Sequence, residues 1–211
     1  MLQKVSAILL AAGRSQRMGR SKPLLPLGDR PVICHCLDCL LDAAVDEIIV
    51  VTAQNRAEIE FTVGALPVRL VDNPDPASDM AGSVRVGLRA VSDEATGVLV
   101  CLVDHPLVSA STIHALVEWH HLDPGSILIP SVQGKRGHPT LFPRPVIHEL
   151  SGVATLRDVV RRDPSRVRLV DIEDEGTVID MDTPADYTRV QAEYWRRRTG
   201  SLPTLQDTSE F

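Results

Sequence analysis

Apolar runs of strand length alternate along this chain with segments whose apolar residues recur at helical spacing. Residues 5–11 read as a strand buried on both faces, and Gly13 and Gly19 mark where the backbone leaves the sheet. Pro31 opens a helix predicted to reach about Ala44, at a first-turn position where the missing N–H costs nothing. A buried strand over 46–52, a short helix over 56–64 and a strand over 68–71 follow, the last entering the turn 72–76. A helix is predicted to begin near Gly82 or Ser83 and run to Ala90, with free N–H groups at its start. The unbroken apolar run from Val98 to Val103 is the clearest strand, and it ends on the carboxylate of Asp104.

Beyond a turn at 105–108, Ser109 or Ser111 caps a helix to about His121, and 126–130 and 140–142 read as extended. The loop 133–139 between them carries glycines and basic charge, and its two glycines make His138 pliable. Helical spacing returns over 153–162 and a strand over 167–170. Asp180 and Asp182 sit at i and i+2, so strand alternation would put both on one side, and Thr183-Pro184 starts a helix ending near Arg198. Residues 199–211 lack periodicity and are expected to form a mobile tail after a single domain over 1–198. The alternation of strands and helices predicts an α/β fold built on a parallel sheet with right-handed crossovers.

Charge sharpens this picture. The chain carries a net charge of -6, yet Arg14, Arg17, Arg20 and Lys22 fall together after the first strand with no acidic residue among them. A basic loop at the carboxyl end of a strand suits an anion such as a polyphosphate, and Asp104 with Asp180 or Asp182 meets it where ligands collect in open α/β sheets. Mg²⁺ prefers one or two carboxylates, phosphate oxygens and retained waters, so the set fits a Mg²⁺-bound nucleoside triphosphate. Taken singly, Asp104 reads equally as a turn residue and Asp182 as a helix cap. The spacing excludes two other phosphate motifs: Gly13 and Gly19 are too far apart for a P-loop and Arg20 follows them, while Ser15 breaks a dinucleotide fingerprint.

At 211 residues with 44% hydrophobic content the chain suits one domain, and 3% aromatics with a pI near 5.6 argue against a nucleic-acid partner. No run approaches the roughly 18 to 20 apolar residues of a membrane span, and no secretory leader is recognisable, so the protein is expected to be cytoplasmic. Cys34 and Cys36 point nearly opposite ways on a helix and only Cys36 and Cys39 share a face, which favours buried reduced thiols with Cys101 over a metal cluster. His35, His114, His120, His121 and His148 read as surface or packing residues.

The spacing Leu10-Ala11-Ala12-Gly13-x-Ser15-x-Arg17-Met18-Gly19-x-x-Lys22-x-Leu24-Leu25-Pro26-Leu27 resembles the signature loop of sugar-nucleotide and cofactor nucleotidyltransferases, most closely the molybdenum cofactor nucleotidyltransferase group. The likeness continues through Gly82-Ser83 with Gly87, Val103-Asp104-His105-Pro106, Arg136-Gly137-His138-Pro139 and Asp180-Met181-Asp182-Thr183-Pro184, covering roughly residues 5–190. It implies a three-layer nucleotide-diphospho-sugar transferase fold, with helices on both faces of a mostly parallel sheet and one strand running against the rest. The implied reaction moves a nucleoside monophosphate from a triphosphate to the terminal phosphate of molybdopterin, releasing pyrophosphate, with Mg²⁺ as cofactor and a molybdoenzyme as a candidate recipient of the product. By that likeness Leu10, Ala11, Ala12, Gly13 and Ser15 face the nucleotide, Arg17 and Lys22 neutralise the triphosphate, and Asp104 binds the metal with Asp182 or Asp180 as second acidic ligand. Gly82 and Ser83 lie by base and ribose, and Gly137, His138 and Pro139 face the acceptor.

Within the group Leu-Ala-Ala-Gly is more typical of cytidylyl transfer and Leu-Ala-Gly-Gly of guanylyl transfer, so Ala12 favours CTP. The chain departs from the group at His105, where Met or Gln is common between Asp and Pro, and at residues 152–157, which puts the acceptor in question. Competing readings are a GTP-using or other-acceptor transferase, a cofactor-binding maturation protein that hands a pterin to a molybdenum hydroxylase, and a reductase of a dye-like heterocycle on the same scaffold.

Overall fold

Side chains of the first strand, β1 (Lys4–Leu10), alternate between two apolar layers: Val5, Ala7 and Leu9 join one and Ile8 and Leu10 the other, all under a tenth exposed. A strand clad on both faces needs neighbours on both edges as well, and that requirement builds the architecture. The computed structural model describes residues 3–13, 18–75 and 77–199. After β1 come the two-stranded hairpin β2 (Pro26–Leu27) and β3 (Arg30–Pro31), then α1 (Val32–Asp42), β4 (Glu47–Thr52), α2 (Arg56–Val63), β5 (Arg69–Asp72), α3 (Met80–Leu88) and β6 (Ala95–Leu102). The second half adds α4 (Ala110–Leu122), β7 (Ile127–Val132), β8 (Lys135–Arg136), β9 (Thr140–Pro143), α5 (Arg144–Ile147), α6 (Leu156–Arg162), β10 (Val167–Asp171) and α7 (Pro184–Thr199).

The main sheet runs β10-β7-β9-β6-β1-β4-β5, with β8 pairing on β7 outside that path. β1 is parallel to both β4 and β6, so that Leu10 stands opposite Val51 and Leu102, and β5 extends the parallel half from β4. β9 runs antiparallel to β6 and to β7, as the family likeness implies, while β10 is parallel to β7. One apolar layer takes Ile33 and Leu37 of α1, Ile59 of α2, Leu116 of α4 and Val190 of α7; the other takes Val84 of α3, Ile147 of α5 and Val159 of α6. Each such side chain contributes roughly 1.5–3 kcal/mol by leaving water. The result is the three-layer α/β fold with helices on both faces.

Several element boundaries differ from the sequence pattern for local reasons. α3 starts two residues before Gly82, because the Asp79 side chain accepts the Gly82 N–H at 2.7 Å and caps the helix. α6 starts at Leu156 because Thr155 and Asp158 form a reciprocal capping box. Residues 144–152, unread in the sequence, form α5 and the 3₁₀ turn His148–Gly152, both too short to show periodicity. Residues 179–183 form no strand, so Asp180 and Asp182 are not set by strand alternation. Thr199 closes α7; the expected tail over 200–211 lies outside the described residues. Among the described residues no helix is long and apolar enough to cross a membrane.

At Gly87 of α3 a Cβ would come within 2.6 Å of Ile8 Cγ2 and 3.1 Å of Val51 Cγ2, both on fully buried residues. Helix propensity alone would make alanine stabilising there by about 1 kcal/mol. Close packing reverses the sign, so Gly87→Ala should lower unfolding free energy by about 1–3 kcal/mol in urea titration; a stabilised variant would contradict this packing.

Candidate active site

The site forms where β1 and β6 end. The Ala11 N–H donates to the Val51 carbonyl at 2.9 Å and the Leu10 carbonyl accepts from Val103 N–H at 3.3 Å, so β1 stays fixed between its neighbours until the chain turns away. Ala11 is fully buried in the core, whereas Leu10, Ala12 and Gly13 border a cavity of about 660 Å³. A Cβ at Gly13 would meet nothing within 4 Å among the described residues. A volume of this order is typical of pockets for small organic ligands.

Lys22 opens the 3₁₀ turn Lys22–Leu24 and reaches into the same cavity. Its Nζ donates to Asp104 Oδ2 at 3.1 Å and to Asp182 Oδ1 at 2.6 Å, with the lysine side chain 12% exposed. Burial alone would lower the Lys22 pKa, but the hydrogen bonds and charges of Asp182 and Asp104 outweigh it and hold the ammonium above its usual value. Asp104 lies two residues beyond β6, in a turn closed by His105 N–H on the Leu102 carbonyl. The Met181 N–H donates to the Asp104 carbonyl at 3.0 Å, and this backbone bond, not a strand pairing, brings Asp182 to Lys22. Asp180 is half-buried; burial lowers the His105 pKa below its usual value, and the charges of Asp104 and Asp180 only partly offset this.

The second oxygen of Asp104, Oδ1, is buried without a hydrogen-bond partner. A buried carboxylate oxygen with spare lone pairs beside a second carboxylate fits a hard divalent cation whose remaining ligands come from phosphate and water. Among the described residues no group of three or more His, Cys, Asp or Glu could hold a metal ion by itself. Cys34, Cys36 and Cys101 are buried and Cys39 half-buried, all as free thiols, and burial pushes the Cys39 thiol up to about 12.

On the opposite wall, Ser83 borders the cavity and its Oγ accepts from Asn73 Nδ2 at 3.0 Å. Gly82 does not border it: its N–H is taken by Asp79, and a Cβ would come within 2.2 Å of Ser78 Oγ. Gly137, His138 and Pro139 are also apart from the cavity; His138 and Pro139 line a separate recess of about 20 Å³ with His105 and Cys101. Gly137 is no flexible hinge. A Cβ there would come within 2.6 Å of Thr177 Oγ1, and the His138 N–H donates to the Thr177 carbonyl at 2.8 Å. Ser15 and Arg17 lie outside the described residues.

The structure thus gathers Leu10, Ala12, Gly13, Lys22, Ser83 and Asp104 around one cavity and joins Asp182 to it through Lys22. Sequence reading missed Asn73, Asp79 and Asn55, which also border it. Asn55 Nδ2 donates to Ser21 Oγ at 2.9 Å, tying the start of α2 to the residue before Lys22. Asp79 was legible as a capping residue three places before Gly82. Asn73 and Asn55 carry only turn signals.

The family profile described as the MobA-like NTP transferase domain matches residues 7–167. Nicotine blue oxidoreductase of Paenarthrobacter nicotinovorans is 32% identical over 191 residues, spanning 85% of this chain and 92% of its own length. Molybdenum cofactor cytidylyltransferase of Escherichia coli (strain K12) is 27% identical over 198 residues, spanning 92% of this chain and 98% of its own. Among solved structures, a nucleotidyl transferase from Methanothermobacter thermautotroptrophicus aligns with a TM-score of 0.82 at 26% identity, over 92% of this chain and 99% of that one. A Mycobacterium tuberculosis H37Rv protein solved as a manganese complex aligns with a TM-score of 0.74 at 26% identity, over 90% of this chain and 98% of its own.

Burial, with the neighbouring His105 charge, lowers the His138 pKa to about 4 from an ordinary 6.5. The folded chain therefore binds fewer protons at His138 than the unfolded chain does. The stability it contributes is full above pH 6.5 and falls as pH drops toward 4, by on the order of 3 kcal/mol. Urea midpoints between pH 7 and 4.5 should fall less steeply in His138→Gln than in the wild type; equal slopes would contradict a buried neutral imidazole.

Proposed function

The chain belongs to the MobA-like NTP transferase family and is a nucleotidyltransferase, and from that premise we propose that it moves CMP from CTP to the terminal phosphate of molybdopterin in the cytoplasm, with Mg²⁺, releasing pyrophosphate. The observation that carries this reading is the Lys22 ammonium held between Asp104 and Asp182 at the wall of a nucleotide-sized cavity. The free, buried thiols suit a reducing compartment.

An acceptor phosphate is already ionised near neutral pH, so the chain has no proton to remove and its work is to align two anions. Lys22, with Arg17 from the preceding loop, offsets the charge of the triphosphate and of the departing pyrophosphate. Asp104 and Asp182 would hold the metal, with Asp180 behind them. When bound, Mg²⁺ would supply positive charge that offsets the charge of the triphosphate. Leu10, Ala12 and Gly13 form the wall against which the base rests, and the Ser83 hydroxyl, oriented by Asn73, offers a hydrogen bond on the nucleoside side. The Cβ of Ala12 narrows that wall and favours a pyrimidine. The Gly137, His138 and Pro139 loop is assigned to the acceptor, and a molybdoenzyme to receipt of the product.

A second reading rests on the 32% identity to nicotine blue oxidoreductase: reduction of a heterocyclic dye on the same scaffold. Pyrophosphate release measured with CTP, GTP, ATP and UTP, with and without molybdopterin, separates the two. Release with CTP and molybdopterin is expected, whereas NAD(P)H oxidation without pyrophosphate release would establish the reductase instead. No pyrophosphate release with any of the four nucleotides, together with no NAD(P)H oxidation, would point to a carrier. Lys22→Ala should lower kcat about 10²–10³-fold with CD spectra unchanged, and normal turnover would remove its assigned role. In Ala12→Gly the ratio of kcat/KM for GTP over CTP should rise by about tenfold or more; an unchanged ratio would remove Ala12 from base selection.

A further inference from the structure

Residues 174–183 lead from the start of α4 to Asp182 beside Lys22, and one largely buried carboxylate ties down the start of that segment. The Asp174 side chain is 10% exposed. Its Oδ2 accepts from Ser109 N–H at 2.8 Å and Thr112 Oγ1 at 2.9 Å; its Oδ1 accepts from Gly176 N–H at 3.0 Å and Arg197 Nη1 at 3.3 Å. Its backbone carbonyl takes both the N–H and the hydroxyl of Thr177, at 3.2 and 2.9 Å. Burial alone would raise the Asp174 pKa, yet the donors around it keep it below the usual carboxylate value, so the charge is retained.

Downstream of this anchor the segment is bonded along its length and ends at the site. Gly176 packs against the Leu107 carbonyl so closely that a Cβ would come within 2.1 Å of the oxygen, and Arg197 Nη1 donates to that carbonyl at 2.7 Å. Thr177 accepts the His138 N–H, Met181 bonds the Asp104 carbonyl and Asp182 meets Lys22. The nucleoside wall, by contrast, is carried by β1, β5 and α3.

We propose that Asp174 is a positioning residue: by fixing the 174–183 strap to the start of α4 and to α7, it holds the Asp182 carboxylate at Lys22 and Asp104. This inference rests on the nucleotidyl-transfer reading of the site. It separates the strap from the nucleoside wall, so weakening the anchor should disturb metal and phosphate alignment and leave nucleotide affinity nearly intact.

Asp174→Asn keeps the size of the side chain but replaces one acceptor oxygen with a donor. Thr112→Val removes a single hydroxyl isosterically, Thr112→Ser restores it, and the Thr112 pair keeps the test readable if Asp174→Asn folds poorly. Amide hydrogen exchange of the chain without nucleotide should show Met181 and His138 exchanging about tenfold faster or more in Asp174→Asn, with the β1 amides as protected as in the wild type. Thr112→Val should shift the same way by a smaller factor, and Thr112→Ser should match the wild type. In turnover, the Mg²⁺ concentration for half-maximal rate should rise about fivefold or more while KM for CTP stays within about twofold. A merely structural role moves the β1 amides together with the strap amides and leaves the Mg²⁺ requirement unchanged, and either result overturns the proposal; so does unaltered exchange at Met181 and His138. The exchange measurement uses no nucleotide. A wild-type chain that releases no pyrophosphate therefore overturns the transferase reading, and the strap is then judged on exchange alone.

Discussion

One ammonium between two carboxylates sets the terms for this structure. Asp104 and Asp182 both bond Lys22 Nζ, which stands 82 residues from the first in sequence and 160 from the second. Two partly buried anions that close repel each other unless a cation lies between them, and an ion pair taken from water is stable only when its geometry is well held. Lys22 supplies that cation within the chain. On the proposed reading, a divalent metal and a triphosphate would join this same charge balance at the site.

Holding three such residues in register requires a rigid frame, and the two apolar layers supply it. β1, β4 and β6 are packed on both faces, so the turns at their carboxyl ends leave from fixed points. Lys22 is set on a short 3₁₀ turn whose Pro23 is buried, with Ser21 held from α2 by Asn55. Asp104 follows two residues after β6. Asp182 has no strand behind it, and its place depends on the Met181 bond to the Asp104 carbonyl and on the anchored segment before it.

That division explains what the sequence made legible. The central strands could be read because their signal is local: unbroken apolar runs of strand length. Lys22, Asp104 and Asp182 could be singled out as strand-end and helix-start residues; the sheet fixes the place of Asp104, and the Met181 bond to the Asp104 carbonyl brings in Asp182. What escaped depends on long-range packing. Gly137 reads as a pliable loop residue until Thr177 is seen filling the space a side chain would need. Asp180 and Asp182 read as an alternating strand pair, since i, i+2 spacing carries no trace of a partner 160 residues away. Asp174 sits among Glu173 and Glu175 and looks like one of several solvated acids, although its carboxylate accepts from two other segments, the start of α4 and α7.

Relatives of this chain carry the names of a transferase and of an oxidoreductase. The two chemistries make different demands on the charged cluster. Hydride transfer to a heterocycle moves no phosphate and needs no pair of carboxylates beside a lysine. For such a reaction, burying Lys22 with Asp104 and Asp182 at the ligand wall would cost desolvation with no return in rate. Nucleotidyl transfer between two phosphates needs fixed positive charge and acidic metal ligands at the carboxyl edge of the sheet, beside a wall for the base. The cluster around Lys22 meets the second set of demands with groups drawn from three distant parts of the chain.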